Sequence, residues 1–372
     1  MGEPRAGTPE RQTATGRRSL LVVGAGLVAA VTCALTLWAA GAIDPVPLPG
    51  IPVPSAEVTW LVPALQLLND AAAVVTVGCL LGAAVLVPGG PTISTAGYRW
   101  LRMTTWSAAV WALAALVSLP LLLADFLGTG VEVVSLRAVY SFVVDIEQGR
   151  VLLVVAALAA VVASSARTVL TPTGARVLLV IALAATVPPA FTSHSADEAD
   201  HDLAVAGLAL HVLGVVGWAG GLLALLLAAR LTGPTRTAAV GRFSRLAAPL
   251  ALLVAGSGVV TSFTRLSAPG QLVNTSYGIV LLVKTAALLA VVTIGWWHRR
   301  RTLSALGAGR PGAFFRLAAV EVLLLAATIG VGVGLSRTAP PPVPQPAERA
   351  VEGASGVLPT PPPGTVGVFE RE

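Results

Sequence analysis

Long apolar runs separated by short polar stretches dominate the chain. At 1.5 Å per residue, about 20 apolar residues in a helix cross a hydrocarbon core roughly 30 Å thick. The pattern predicts nine crossings, over residues 19–42, 60–87, 101–126, 151–166, 174–191, 202–229, 246–264, 277–297 and 315–335. An interfacial helix is expected over 136–146. Pro188-Pro189 should end the fifth span, and Asp200 or Asp202 should cap the sixth helix. The expected fold class is all-α, a polytopic transmembrane helix bundle of about nine spans. A disordered basic stretch, 1–18, precedes the transmembrane domain, 19–336, and a Pro-rich tail, 337–372, is expected to stay extended.

Composition agrees with the pattern. Hydrophobic residues make up 55% and charged residues 11%, with a mean hydropathy of +0.82, whereas an ordinary soluble domain carries about 25% charged residues. The first apolar run is too long for a signal-peptide core and reads as an uncleaved anchor, although Ala40-Gly41-Ala42 resembles a cleavage site. Cys33 and Cys79 both fall in apolar runs and read as small packing residues.

The net charge of +6 is a statement about topology. With the N-terminus inside, 17 of the 24 basic residues lie in cytoplasmic segments and six outside, with Lys284 in the membrane. The positive-inside rule therefore predicts a cytoplasmic N-terminus and an external C-terminus, and no nucleic-acid partner is expected.

Polar groups inside apolar spans are expensive and are the candidates for function. Three of the four histidines, His194, His201 and His211, lie within 18 residues of one another. The first two belong to an outer acidic loop, SHSADEADHD, and read either as capture ligands for a metal or as part of a solvated loop. His211 lies inside the sixth span, on one helix face with Gly207, Gly214, Trp218 and Gly221. Glycines there favour close packing of a neighbouring helix. The imidazole reads either as hydrogen-bonded across that seam or as a metal-path residue. Asp70 and Lys284 enter from the same outer side to broadly similar depth, which allows an ion pair near His211. Glu321 enters from the inner side, too deep to join them. His298 reads as an interface residue.

These residues carry a resemblance. LALHVLGVVGWAGGL resembles the His…Trp-x-Gly-Gly helix of the copper resistance D family of bacterial inner-membrane proteins. GRFSRLAAPLALLVAGSGVVTSF and SYGIVLLVKTAALLAVVTIGWWHRRR resemble the spans that follow it. AVEVLLLAATIGVGVGLSRTAPP resembles the last span of actinobacterial members, and LNDAAAVVTVGCLLGAAVLVP and QGRVLLVVAALAAVVA their earlier ones. The likeness spans about residues 60–340 and is most specific in 194–300. It implies copper uptake or resistance at the cytoplasmic membrane, with His211 on the ion's path and His194 and His201 as outer ligands. It further implies a periplasmic copper chaperone or oxidase-assembly protein as partner. Many actinobacterial relatives carry a second membrane domain, resembling a cytochrome oxidase copper-assembly protein, after the Pro-rich linker; this chain ends at VLPTPPPGTVGVFERE. Met1 and Met103 are the only methionines, so a thioether-lined route is not expected and imidazole and carboxylate would carry the ion.

No phosphate-binding loop occurs, so the expectation is a permease without catalytic chemistry, driven by a gradient or a partner. Two other readings stand beside it: a scaffold that delivers copper to an oxidase, and a haem-binding electron carrier. The last needs two facing axial ligands, and His211 has no intramembrane histidine partner.

Overall fold

The computed structural model describes residues 9–43, 52–192, 201–228, 233–266, 268–307 and 311–338. The chain divides into two units, Met1–Pro341 and Pro342–Glu372, and all described residues belong to the first. They form eleven α-helices and no strand: α1 (Pro9–Ala39), α2 (Ala56–Leu81), α3 (Thr95–Leu127), α4 (Leu136–Asp145), α5 (Glu147–Ser165), α6 (Pro172–Ala185), α7 (His201–Leu227), α8 (Gly233–Arg265), α9 (Gln271–Asn274), α10 (Ser276–Gly307) and α11 (Pro311–Ser336). Nine of them, all but α4 and α9, are long and apolar enough to cross a membrane, so the chain is a multi-pass membrane protein.

Several helices outrun the apolar runs, because hydropathy marks the hydrocarbon limits while capping marks the helix limits. α2 starts at Ala56, where Ser55 accepts a hydrogen bond from Val58 N–H. α3 starts at Thr95 under a Ser94 cap and stops at Gly128, whose φ of 64° ends the helix in the left-handed region. α8 begins at Gly233, well before the expected 246, since its arginine-rich first turns lie beyond the apolar stretch and Pro234 falls in the first turn, where proline is tolerated. α1 begins at Pro9, inside the stretch expected to be disordered. The tail also starts later than expected: Arg337 and Thr338 are part of the folded unit, and Thr338 is buried. Pro188-Pro189 ends α6 as expected, in a short 3-10 turn, Pro188–Ala190.

α2 and α7 are the most buried spans and form the centre. α2 packs against α3, α6, α7 and α11; α8 lies on α7, and α10 on α11. α8 and α10 are the least buried, with their apolar faces turned outward. α2 ends in a π-helical turn, Gly82–Leu86, and Arg242 of α8 donates to the Leu86 carbonyl at 2.7 Å, satisfying one of the acceptors a helix end leaves open.

The central crossing is a backbone contact. A Cβ on Gly78 would stand 2.5 Å from the Gly220 carbonyl oxygen, and one on Gly220 would meet Gly78 N and Val74 O at 2.9 Å. Neither obstacle is a side chain that can rotate away. Gly78→Ala is therefore expected to destabilise the detergent-solubilised protein by about 1–3 kcal/mol. Gly256→Ala, where nothing lies within 4 Å, is expected to leave the melting temperature unchanged or slightly raised. Equal melting temperatures for the two variants would refute the contact.

Candidate functional site

Helix contacts bring Asp70, His211 and Lys284 to one level. α2 and α7 are the second and sixth spans and cross in the same direction, touching at Gly78 and Gly220. Asp70 lies eight residues before Gly78 and His211 nine before Gly220, so about 12 and 13.5 Å above the crossing. α11, the ninth span, runs opposite to α2. Ser336 Oγ lies 3.4 Å from Gln66 Oε1, and one turn inward along each helix come Gly332 and Asp70. Lys284 of α10 reaches that same level: a Cβ on Gly332 would stand 3.6 Å from its Nζ. The Lys284 charge acts on both Asp70 and His211.

The His211 ring is held by α8. Its Nδ1 lies 3.2 Å from the Val254 carbonyl and 3.2 Å from Ser257 Oγ. A carbonyl only accepts, and the Ser257 hydroxyl lies 2.6 Å from the Leu253 carbonyl, to which it donates. Nδ1 therefore carries the proton in the neutral ring, leaving the Nε2 lone pair uncommitted to α8. Metal-binding histidines commonly show this arrangement, one nitrogen donating to a carbonyl and the other available for the ion. The ring fits because α7 and α8 run antiparallel in close register. A Cβ on Gly207 would meet Thr261 Oγ1 at 3.2 Å, one on Gly214 would meet Val254 Cγ2 at 2.8 Å, and one on Gly258 would meet His211 Cε1 at 3.7 Å. Trp218 is buried, and a Cβ on Gly221 would overlap the Phe243 ring of α8.

The other expected residues lie apart. His201 is the exposed first residue of α7, ten residues and about 15 Å from His211, too far to share one ion. His194, Asp197, Glu198 and Asp200 lie outside the described residues, as does the side chain of His298. Asp202 falls in the first turn of α7 and not at its cap, where its carboxylate still suits the positive helix end. Glu321 is 5% exposed and faces Gly295 of α10, eleven residues from Gly332 and so about 16 Å along α11 from the cluster. Among the described residues no group of three or more His, Cys, Asp or Glu is placed to hold a metal. The arrangement offers one imidazole, one carboxylate and one lysine at a common level, and Asp70 and Lys284 do not come within the 4 Å of a direct ion pair.

Ser257, Val254 and Gly258 escape sequence reading, because small residues in an apolar span carry no charge to mark them. Gln66 and Ser336 escape it for the same reason. Asn69 donates to Leu65 O at 3.0 Å and to Ser118 Oγ at 3.2 Å, while its buried Oδ1 has no hydrogen-bond partner.

Two family profiles match the chain. One, copper resistance protein D, covers residues 237–335; the other, copper resistance protein D-like, N-terminal domain, covers residues 56–203. The helix that carries His211 lies almost wholly between the two matched stretches. No curated protein and no solved structure matches.

Two measurements probe this geometry. Removing one of two opposite charges inside the membrane leaves the other less compensated, so Asp70→Asn and Lys284→Met are each expected to lower the melting temperature, and the double variant to lose less than their sum. Additive losses in thermal unfolding would separate the two residues. Nitrogen NMR of histidine-labelled protein is expected to show His211 protonated at Nδ1 and bare at Nε2; the opposite tautomer would contradict the α8 contact.

Proposed function

Given that the chain belongs to the copper resistance protein D family of copper resistance and homeostasis membrane proteins, we propose that it carries copper ions inward across the cytoplasmic membrane. The observation that carries the proposal is the His211 ring, whose Nδ1–H is committed to α8, which leaves the Nε2 lone pair uncommitted to that helix on a residue level with Asp70. Imidazole nitrogen suits copper, and a carboxylate adds charge. With Met1 and Met103 the only methionines, these donors replace a thioether route.

Lys284 gives the site its character. A fixed cation beside the donors weakens metal binding, and a path conducts only when its sites release the ion as readily as they accept it. In this reading His211 and Asp70 form a way-station and not a storage site. His201 and Asp202 attract the ion at the outer end of α7, about 15 Å above, with His194 as a further outer ligand on sequence grounds. The distribution of basic residues supports the orientation, with the N-terminus inside. The absence of a phosphate-binding loop from the sequence supports a driving force from a gradient or a partner, and no catalytic step is assigned.

The test is the initial rate of radioactive copper uptake by cells or proteoliposomes. His211→Ala is expected to lower it at least tenfold with the protein still folded, and His201→Ala only a few-fold, at low external copper. Unchanged uptake in His211→Ala would sink the proposal. If oxidase maturation fails in those same cells, the chain delivers copper to a partner instead. A Soret band in the purified protein would point to haem.

A further inference from the structure

Beyond the cluster itself, the structure holds a line of polar groups leading to it. The line starts at the end of the bundle where α11 exits. There the Arg337 guanidinium makes a two-point ion pair with Asp125 at the end of α3, Nη1 to Oδ2 at 2.7 Å and Nη2 to Oδ1 at 2.9 Å. Both nitrogens meet both oxygens, the geometry in which guanidinium and carboxylate bind most strongly. The pair stands at the boundary, with Arg337 30% and Asp125 16% exposed. The next residue inward, Ser336, meets Gln66 of α2. One turn further along α11 comes Gly332, beside the Lys284 ammonium, and one turn further along α2 comes Asp70. Asn69, in the same turn of α2, turns instead to Ser118 of α3.

Polar side chains at single-turn intervals down an intramembrane seam need a reason, since each is costly there unless it serves the fold or a path. The α2–α11 seam would close as well with apolar residues, as the neighbouring seam does where Val58 and Val62 of α2 pack on Leu121 and Ala124 of α3. At its inner end stands Gly332, whose missing side chain leaves room beside Lys284. At its outer end stands an ion pair that any arriving cation can contest, because a cation and a guanidinium compete for the same carboxylate.

We propose that the α2–α11 seam is the outer passage to the Asp70–Lys284–His211 cluster, and that the Arg337–Asp125 pair closes it. A hydrated metal cation opens the passage by taking the place of the Arg337 guanidinium on Asp125. It then moves past Gln66 and Ser336 to Asp70. The proposal rests on the reading that the cluster is reached from outside, and it adds the route and the residue pair that controls it. Arg337 and Asp125 touch no ion at the cluster; they act by holding the seam shut.

The test uses the full chain in intact cells and needs no copper. The chain's own cysteines, Cys33 and Cys79, are buried and give a low background. Gly332→Cys places a thiol just inside the closure, where a Cβ meets Lys284 Nζ at 3.6 Å, an ordinary contact. Its labelling by a membrane-impermeant, positively charged methanethiosulfonate is expected to be slow. Adding Arg337→Gln, or Asp125→Asn should that variant fail to fold, is expected to speed labelling at least tenfold. The exchanged pair Asp125→Arg with Arg337→Asp is expected to restore the slow rate. Equal labelling with and without the ion pair, even alongside a lower melting temperature, would make it a structural clasp only and overturn the proposal. Labelling seen only in inside-out vesicles would overturn it as well. Accelerated labelling combined with no copper uptake by the unaltered chain would keep the passage and reject copper as its cargo.

Discussion

The site depends on the contact between two backbones at Gly78 and Gly220. In lipid there is no hydrophobic force between helices, and they associate through close packing and polar contacts. With no Cβ on either side, α2 and α7 approach until carbonyl meets glycine. That contact sets the height of each helix against the other. Asp70 and His211 then fall at one depth, although 141 residues separate them in sequence. The Ser336–Gln66 contact does the same for α11 against α2, and Gly332 admits Lys284 to the level so defined. A small displacement at either contact would separate the charges that offset one another.

Much of the architecture was legible in the sequence, because a bilayer leaves few alternatives. A helix that satisfies its own backbone is the one open solution for an apolar segment of this length. Thus nine spans, the break at Pro188-Pro189 and the short helix near 136–146 follow from hydropathy and proline alone. Helix ends were less legible: Ser55 and Ser94 cap α2 and α3 outside the apolar runs, and α8 runs through arginines that hydropathy treats as loop. Within the expected terminal stretches, the described residues include a helix that starts at Pro9 and Arg337 paired with Asp125.

The polar groups divide in the same way. Asp70, Lys284 and His211 announce themselves by their cost in an apolar span, and helix arithmetic places them near one depth. What arithmetic does not supply is azimuth, the direction each faces around its helix. Ser257 and the Val254 carbonyl, which orient the imidazole, belong to a run of small residues that reads as packing material. Glu321 shows the converse. It is as costly as the others, yet it sits about 16 Å away beside Gly295, with no share in the cluster.

The pairing of α1 with α11 has a consequence for how the protein is made. A Cβ on Gly330 would overlap the Ala29 carbonyl and the Thr32 hydroxyl, and one on Gly334 would stand 2.6 Å from Thr36. Thr32 Oγ1 also lies 3.1 Å from the Ala327 carbonyl, across 295 residues of sequence. Of the described helices, the first to be made thus has its main partner in the last. While seven spans are inserted between them, the threonines of α1 have only their own helix to bond to. This pairing waits until α11 has been made, and a chain cut short before α11 leaves α1 in the bilayer with a notch and nothing to fill it.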